Sequence, residues 1–256
     1  MASTSYRMVI AYDGSRYHGW QSQPEVATVQ GELSRALAKL TSEAPVIKAA
    51  GRTDAGAHAH GQVISFTLQS PWLPHALAGG CNDHLPADVE VLNTTVVSAD
   101  FDPRRQAWRR TYRYLVRESA TVVAGGRQYE WRLQGPLALA PMQDGARMLL
   151  GTHDFGGFGR SPRPGGSTVR TVDRAEVDRN QGLWTIEIRA DAFLRGMMRN
   201  LAGALVALGG GRASLADLER ALTDPAAPVR AWGTAPAHGL HQWRVEYPAG
   251  PEEIRA

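Results

Sequence analysis

Apolar and polar positions alternate over residues 6–12, with Met8, Ile10 and Tyr12 on one side and Arg7, Val9 and Ala11 on the other. That period of two is the signature of a strand. Asp13-Gly14-Ser15 ends it with turn chemistry. The period then lengthens: Val29, Leu33, Ala36, Leu37 and Leu40 share one face of a helix, with Thr28 placed to cap it. Further strands are predicted over 46–50, 62–68 and 89–97, with a loop over 51–61 between the first two.

The second half repeats the recipe. A strand is predicted over 111–116, and a helix over 142–150 between Pro141 and Gly151, residues suited to its start and its end. Strands follow over 172–177 and 183–190, then a strongly apolar helix over 194–208 closed by Gly209-Gly210-Gly211. Ser214 and Asp217 have the spacing of a capping box for a last helix over 214–222, and a strand over 241–247 ends the series. The similar order of elements predicts an α+β fold of two duplicated halves with a cleft between them. The boundary is expected at Asp102-Pro103, giving units 1–103 and 104–256. Residues 156–168 combine Gly and Pro with Arg160 and Arg163, which predicts a mobile basic loop. Such a loop fits a clamp for nucleic acid and an ordinary surface loop equally well.

Composition narrows this picture in three places. Hydrophobic residues make up 43% of 256, enough for one large core or two modest ones. No apolar run approaches the roughly 18–20 residues that span a bilayer, and the first residues lack the apolar stretch of a secretory signal, so a cytoplasmic protein is expected. Cys81 is the one cysteine, which rules out a disulfide within the chain and a multi-thiolate zinc site. Net charge is only +3, but of 28 basic residues only Lys39 and Lys48 are lysines. Codon bias accounts for that preference at most surface positions. Arg104, Arg105, Arg109, Arg110, Arg113 and Arg117 are different, because they interleave with Trp108, Tyr112 and Tyr114 as a nucleic-acid groove requires.

The loop Gly51-Arg52-Thr53-Asp54-Ala55-Gly56-Ala57-His58-Ala59-His60-Gly61 carries the candidate chemistry. Its glycines let backbone approach a ligand, and Asp54 could serve as nucleophile or base while ionised. A close Arg52 favours the charged form. The same residues also read as a plain turn, with Asp54 bonding its own backbone. A metal reading through His58, His60, Cys81 and His84 lacks familiar ligand spacing.

The loop, with Gln62 and Val63 after it, resembles the active-site motif of the tRNA pseudouridine synthase A family. Tyr12-Asp13-Gly14-Ser15, Gly19-Trp20-Gln21-Ser22-Gln23-Pro24 and Thr28-Val29-Gln30-Gly31 are similar to its N-terminal signature. Asn82 with Leu85-Pro86, Arg110-Thr111-Tyr112-Arg113-Tyr114 and Gly151-Thr152-His153-Asp154-Phe155 follow in the family's order, as do the segment from Phe193 to Asn200 and Ala235-Pro236-Ala237-His238-Gly239-Leu240. The resemblance implies the pseudouridine synthase fold, a homodimer without metal or organic cofactor, and action on uridines 38, 39 and 40 of the tRNA anticodon arm.

By the same resemblance Asp54 is the essential aspartate, and Tyr112 is the tyrosine that stacks on the target base. Arg52 acts on phosphate and helps to flip the base, and Arg199 pairs with the catalytic carboxylate. Each has a duller rival. Tyr112 suits a strand core, and Arg199 shares a helix face with Arg195 and could be solvated, although the apolar residues around it argue for a buried arginine with a partner. His58 reads as a loop-stabilising histidine. Arg104, Arg109, Arg110, Arg113, Arg160 and Arg163 are the candidate RNA contacts. Phe101-Asp102-Pro103-Arg104 departs from the family's usual Phe-His-Ala-Arg, Ala57 replaces a usual valine, and His241-Gln242-Trp243 is more polar than usual. The competing function is a non-catalytic tRNA-binding or folding protein on the same scaffold, which would not need Asp54. A metal hydrolase is the third.

Overall fold

The computed structural model describes residues 3–118, 126–224 and 232–248. The chain forms two compact units, one of Met1–Trp108 with Gln242–Ala256 and the other of Arg109–His241. The first division thus falls five residues beyond the expected one. Residues 242–248, late in the chain, belong to the first unit, which residue patterning along the chain has no means of indicating.

In the first unit, β1 (Thr4–Tyr12) pairs antiparallel with β3 (His58–Leu68) on one side and β4 (Val89–Val97) on the other. The register places Tyr6 opposite Phe66 and Met8 opposite Ile64, so the apolar face read from the alternation is continuous across strands. Helix α1 (Val29–Thr41) buries Val29, Leu33 and Leu37 in this core. Its start is fixed by the Thr28 hydroxyl, which accepts from Gly31 N, and its end by Ser42 in the left-handed conformation.

Helix α2 (Pro74–Asn82) was not foreseen, because two glycines and a weak period hide it. It packs through Leu77 and Cys81, and a Cβ on Gly80 would collide with the Leu40 side chain. The Asn82 amide then clasps β4, donating to Val91 O at 3.0 Å and accepting from Val91 N at 2.7 Å. The predicted strand over 46–50 shrinks to β2 (Lys48–Ala49), paired with β3. The opposite sheet face holds a smaller core of Ala50, Val63 and Val245, flanked by Val9, Ala107 and Tyr247. Val245 comes from β10 (Leu240–Glu246).

In the second unit, β5 (Arg109–Glu118) pairs antiparallel with β9 (Leu183–Ala190), β9 with β8 (Val169–Asn180), and β8 with β7 (Gly151–Asp154). A short β6 (Trp131–Leu133) runs parallel to β5. Tyr114, Val116, Trp184, Ile186, Ile188 and Val177 are buried. Helix α3 (Leu139–Met148) packs on β8 and on α4 (Met197–Gly209), and α5 (Leu215–Thr223) packs on α3. Gly145 permits the close crossing, since a Cβ there would lie 2.4 Å from Leu208. Ser214 and Asp217 form the expected capping box.

Helix α4 begins three residues later than its apolar run suggests. Gly196 sits at φ 78°, and Arg195 exchanges backbone hydrogen bonds with Arg160 at 3.0 and 3.2 Å, so residues 194–196 are held out of the helix. That exchange also fastens the glycine-rich stretch 156–168. Phe158 is buried there with its ring stacked on Trp232, while Arg160 and Arg163 are exposed.

Candidate active site

The Asp54 loop is held from several directions, all within the first unit. Trp20 N donates to Thr53 O at 3.1 Å, Gly56 N donates to Tyr17 O at 3.3 Å, and Ala57 N closes a turn on Asp54 O at 3.1 Å. The Tyr12 and Thr53 hydroxyls meet at 2.7 Å in a buried contact. Gly14 and Gly19 let the segment after β1 press on this loop: a Cβ would come within 1.9 Å of Ala57 O at the first and 2.8 Å of Thr53 O at the second. The N-terminal motifs and the Asp54 motif are therefore two halves of one packed object.

Asp54-Ala55-Gly56 forms the expected turn, with Gly56 at φ 80°, and Asp54 is half-buried beside exposed Arg52 and Ala55. The loop's base is fixed by Gln62, whose Nε2 donates to Gly51 O at 2.9 Å. Gln62 is fully buried, and its Oε1 accepts from Val63 N and from the equally buried Gln242 Nε2, each at 3.2 Å. The pairing with Gln242 could not be read from sequence. Its one signal is an amide at an inward position of an otherwise apolar strand, which demands a partner.

His58 is buried, and its Nδ1 accepts from Gly14 N at 3.1 Å. Asp13 Oδ1 lies 3.2 Å from the same nitrogen, yet it already accepts from Ser15 N and Oγ. His58 locks the loop against the first turn. Among the described residues no three His, Cys, Asp or Glu side chains gather as a metal would require.

Tyr112 and Arg199 belong to the second unit. Tyr112 lies on β5 opposite Ile188, half-buried, with its ring edge-on to Phe193 at 4.7 Å. Next along that face, Tyr114 is buried and its hydroxyl donates to Pro236 O at 2.6 Å. Burial pushes its phenol above the ordinary value, with the nearby Arg199 charge opposing. Arg199 stands in the first turn of α4, half-buried, and its Nε donates to Ala235 O at 2.7 Å. The Ala235-Pro236 carbonyls thus hold Arg199 and Tyr114 together, and Gly239 fits under the Tyr114 ring, where a Cβ would lie 2.7 Å away.

The strand arginines are engaged locally. Arg109 donates to Asp173 at 2.5 Å, and Arg189 donates to the same carboxylate at 2.8 Å. Arg110 donates to Asp191 O at 2.5 Å, Arg113 to Glu187 at 2.6 Å and Arg117 to Glu130 at 3.0 Å. Arg104, Arg105, Arg160 and Arg163 are exposed.

Comparison with known proteins agrees with these motifs. A family model described as tRNA pseudouridine synthase matches residues 8–104 and 146–248. The tRNA pseudouridine synthase A of Methylacidiphilum infernorum is 36% identical over 98% of this chain and 99% of its own. That of Moorella thermoacetica is 40% identical over 94% and 98%, and that of Agrobacterium fabrum 38% identical over 95% and 92%. Two mixed α and β units with antiparallel sheets, a clasped Asp54 loop and a match along nearly the whole length have one joint reading: the chain belongs to the tRNA pseudouridine synthase family.

Proposed function

We propose that this enzyme isomerises uridine to pseudouridine at positions 38, 39 and 40 of the tRNA anticodon arm, as a cytoplasmic homodimer and without metal or organic cofactor. The reaction breaks N1–C1′, forms C5–C1′, takes a proton from C5 and returns one to N1. Atoms and electrons balance within the nucleotide, so the protein need supply only positioning and one acid or base group.

Asp54 is that group, as nucleophile toward sugar or base or as the base that assists elimination to a glycal. The observation that carries this role is the clasp: Tyr17, Trp20 and Gln62 hold the backbone, and Tyr12 the Thr53 hydroxyl, on either side of a single half-buried carboxylate. A stacked uridine must leave its helix before its glycosidic bond can be reached. Arg52, exposed next to Asp54, suits a phosphate of the displaced nucleotide. Tyr112 supplies the aromatic surface for the base, and Arg199 the cation for the catalytic carboxylate.

The test is pseudouridine formation in an unmodified tRNA transcript, mapped by position, for wild type and Asp54→Asn. Product in the anticodon arm from wild type alone is expected. Equal product from both would move catalysis to another residue. No product from either, with tRNA still bound, would favour a binding protein.

A further inference from the structure

Thr53 precedes Asp54 and is held at two separate points. Its carbonyl, part of the peptide that joins it to Asp54, accepts from Trp20 N at 3.1 Å. Its hydroxyl meets the Tyr12 hydroxyl at 2.7 Å, and both residues are buried. Beyond Asp54, the next carbonyl accepts from Ala57 N at 3.1 Å. The two planar peptides that flank the Asp54 Cα are thus each fixed by a hydrogen bond. That sets the direction in which the Asp54 side chain leaves the backbone.

The hydroxyl contact is itself well anchored. Tyr12 is the last residue of β1, where the register against β3 shifts by one, from Ile10 opposite Gln62 to Tyr12 opposite Ala59. Such a shift re-aims the side chains beyond it. The Tyr12 ring lies 6.2 Å from that of Trp20, so Trp20 backs the tyrosine with its side chain and holds the Thr53 carbonyl with its backbone. Gly19 presses on the same stretch, where a Cβ would come within 3.2 Å of Ala55 N. Threonine suits this junction, because its branched side chain is stiff at χ1 and carries a hydroxyl. Filling the core would need only the ring of Tyr12; the buried contact at 2.7 Å needs its hydroxyl.

We infer that Tyr12 and Thr53 are positioning residues for the isomerisation: their hydroxyl pair, with the Trp20 amide on the following peptide, aims Asp54 at the reacting nucleotide. The inference rests on the role proposed above for Asp54. It gives the end of β1 and the Gly19-Trp20 segment a task in the reaction, although neither Tyr12 nor Thr53 touches the nucleotide. Reaction geometry is demanding, and a displacement of about 1 Å can cost on the order of 100-fold in rate. Loss of the hydroxyl pair frees the Thr53 side chain to turn and lets the Asp54 carboxylate swing by a comparable distance. The surface that binds RNA stays as it is. The loss should therefore fall on the chemical step and not on RNA affinity.

The experiment is single-turnover pseudouridine formation with protein in saturating excess over unmodified tRNA transcript, alongside transcript binding and amide hydrogen exchange. Under that excess the rate constant does not depend on the share of protein that is folded, so a merely structural contact leaves it unchanged. Tyr12→Phe keeps the ring and is expected to lower the rate constant on the order of 10- to 100-fold, with Kd within about threefold of wild type. Thr53→Val has nearly the same shape and should lower it similarly, whereas Thr53→Ser keeps the hydroxyl and should regain most of the loss. The double variant Tyr12→Phe/Thr53→Val should be no slower than the slower single one, because both remove the same contact. Tyr12→Phe should also speed exchange at the Gly56 and Ala57 amides at least about tenfold and leave that of β1 unchanged. A wild-type rate constant in Tyr12→Phe, losses that multiply in the double variant, or unchanged exchange at Gly56 and Ala57 would each overturn the proposal. Exchange is read without turnover. An inactive wild type, or a fully active Asp54→Asn, would therefore defeat the proposed chemistry and leave exchange to decide whether the hydroxyl pair orders the turn.

Discussion

Gln62 and Gln242, 180 positions apart in the chain, meet in the interior of the first unit, where Gln242 Nε2 donates to Gln62 Oε1 at 3.2 Å. Their surroundings are unequal. Gln62 also holds Gly51 O and Val63 N, whereas the buried Gln242 Oε1 has no hydrogen-bond partner among the described residues. A buried acceptor without a partner costs about 1–3 kcal/mol, comparable to what the bond between the amides returns. Gln242→Leu should consequently change stability by less than about 1 kcal/mol in urea unfolding. Gln62→Leu strands the Gly51 carbonyl as well as the Gln242 amide and should cost about 2–4 kcal/mol, with a parallel loss of turnover. Equal costs for the two would show that Gln62 does not support the loop.

Two glycines in the same neighbourhood separate space from backbone strain. Gly14→Ala would place a Cβ 1.9 Å from Ala57 O, so backbone must move, and kcat/KM should fall at least about tenfold together with thermal stability. Gly56→Ala has open space but a φ of 80°, so it should cost about 1–2 kcal/mol while most activity remains. The reverse order in activity would mean that the first turn does not shape the Asp54 loop.

Cys81 gives a probe of folding. It is fully buried in the first core, and burial pushes its thiol up to about 12. Native protein at pH 8 should resist thiol reagents for hours and label completely in denaturant. Fast labelling of native protein would show that α2 opens from the core.

Acid stability should depend on Asp173. Burial pushes its carboxyl up, but hydrogen bonds and charge from Arg189 and Arg109 outweigh that and hold it below the usual range. A depressed folded value means that this contribution is present above the unfolded value, near pH 4, and is lost as pH falls through the lower folded value. Asp173→Asn should therefore lower Tm at neutral pH and give a shallower loss of Tm below about pH 4. A wild-type acid limb in that variant would show that the arginines do not act on this group.

Much of the fold was written in short-range pattern. The alternation of Met8, Ile10 and Tyr12, the spacing of Leu33 and Leu37 and the Ser214–Asp217 capping box are consequences of strand and helix geometry, which act over a few residues. The Asp54 loop was legible because its glycines, arginine and aspartate are neighbours in the chain. The contacts that give this loop its shape were not, because they come from elsewhere: Gly14 against Ala57, the Tyr12 hydroxyl on Thr53, Gln242 on Gln62. Tertiary structure also divided the arginines. Identical in sequence, Arg113 faces Glu187 while Arg104 rides an exposed turn. Nearness of carboxylates depends on which strands lie side by side. By itself the sequence determined most of the elements and the family, and singled out Asp54 as the candidate for the chemistry; packing decided which neighbours each polar group meets, because those come from distant parts of the chain.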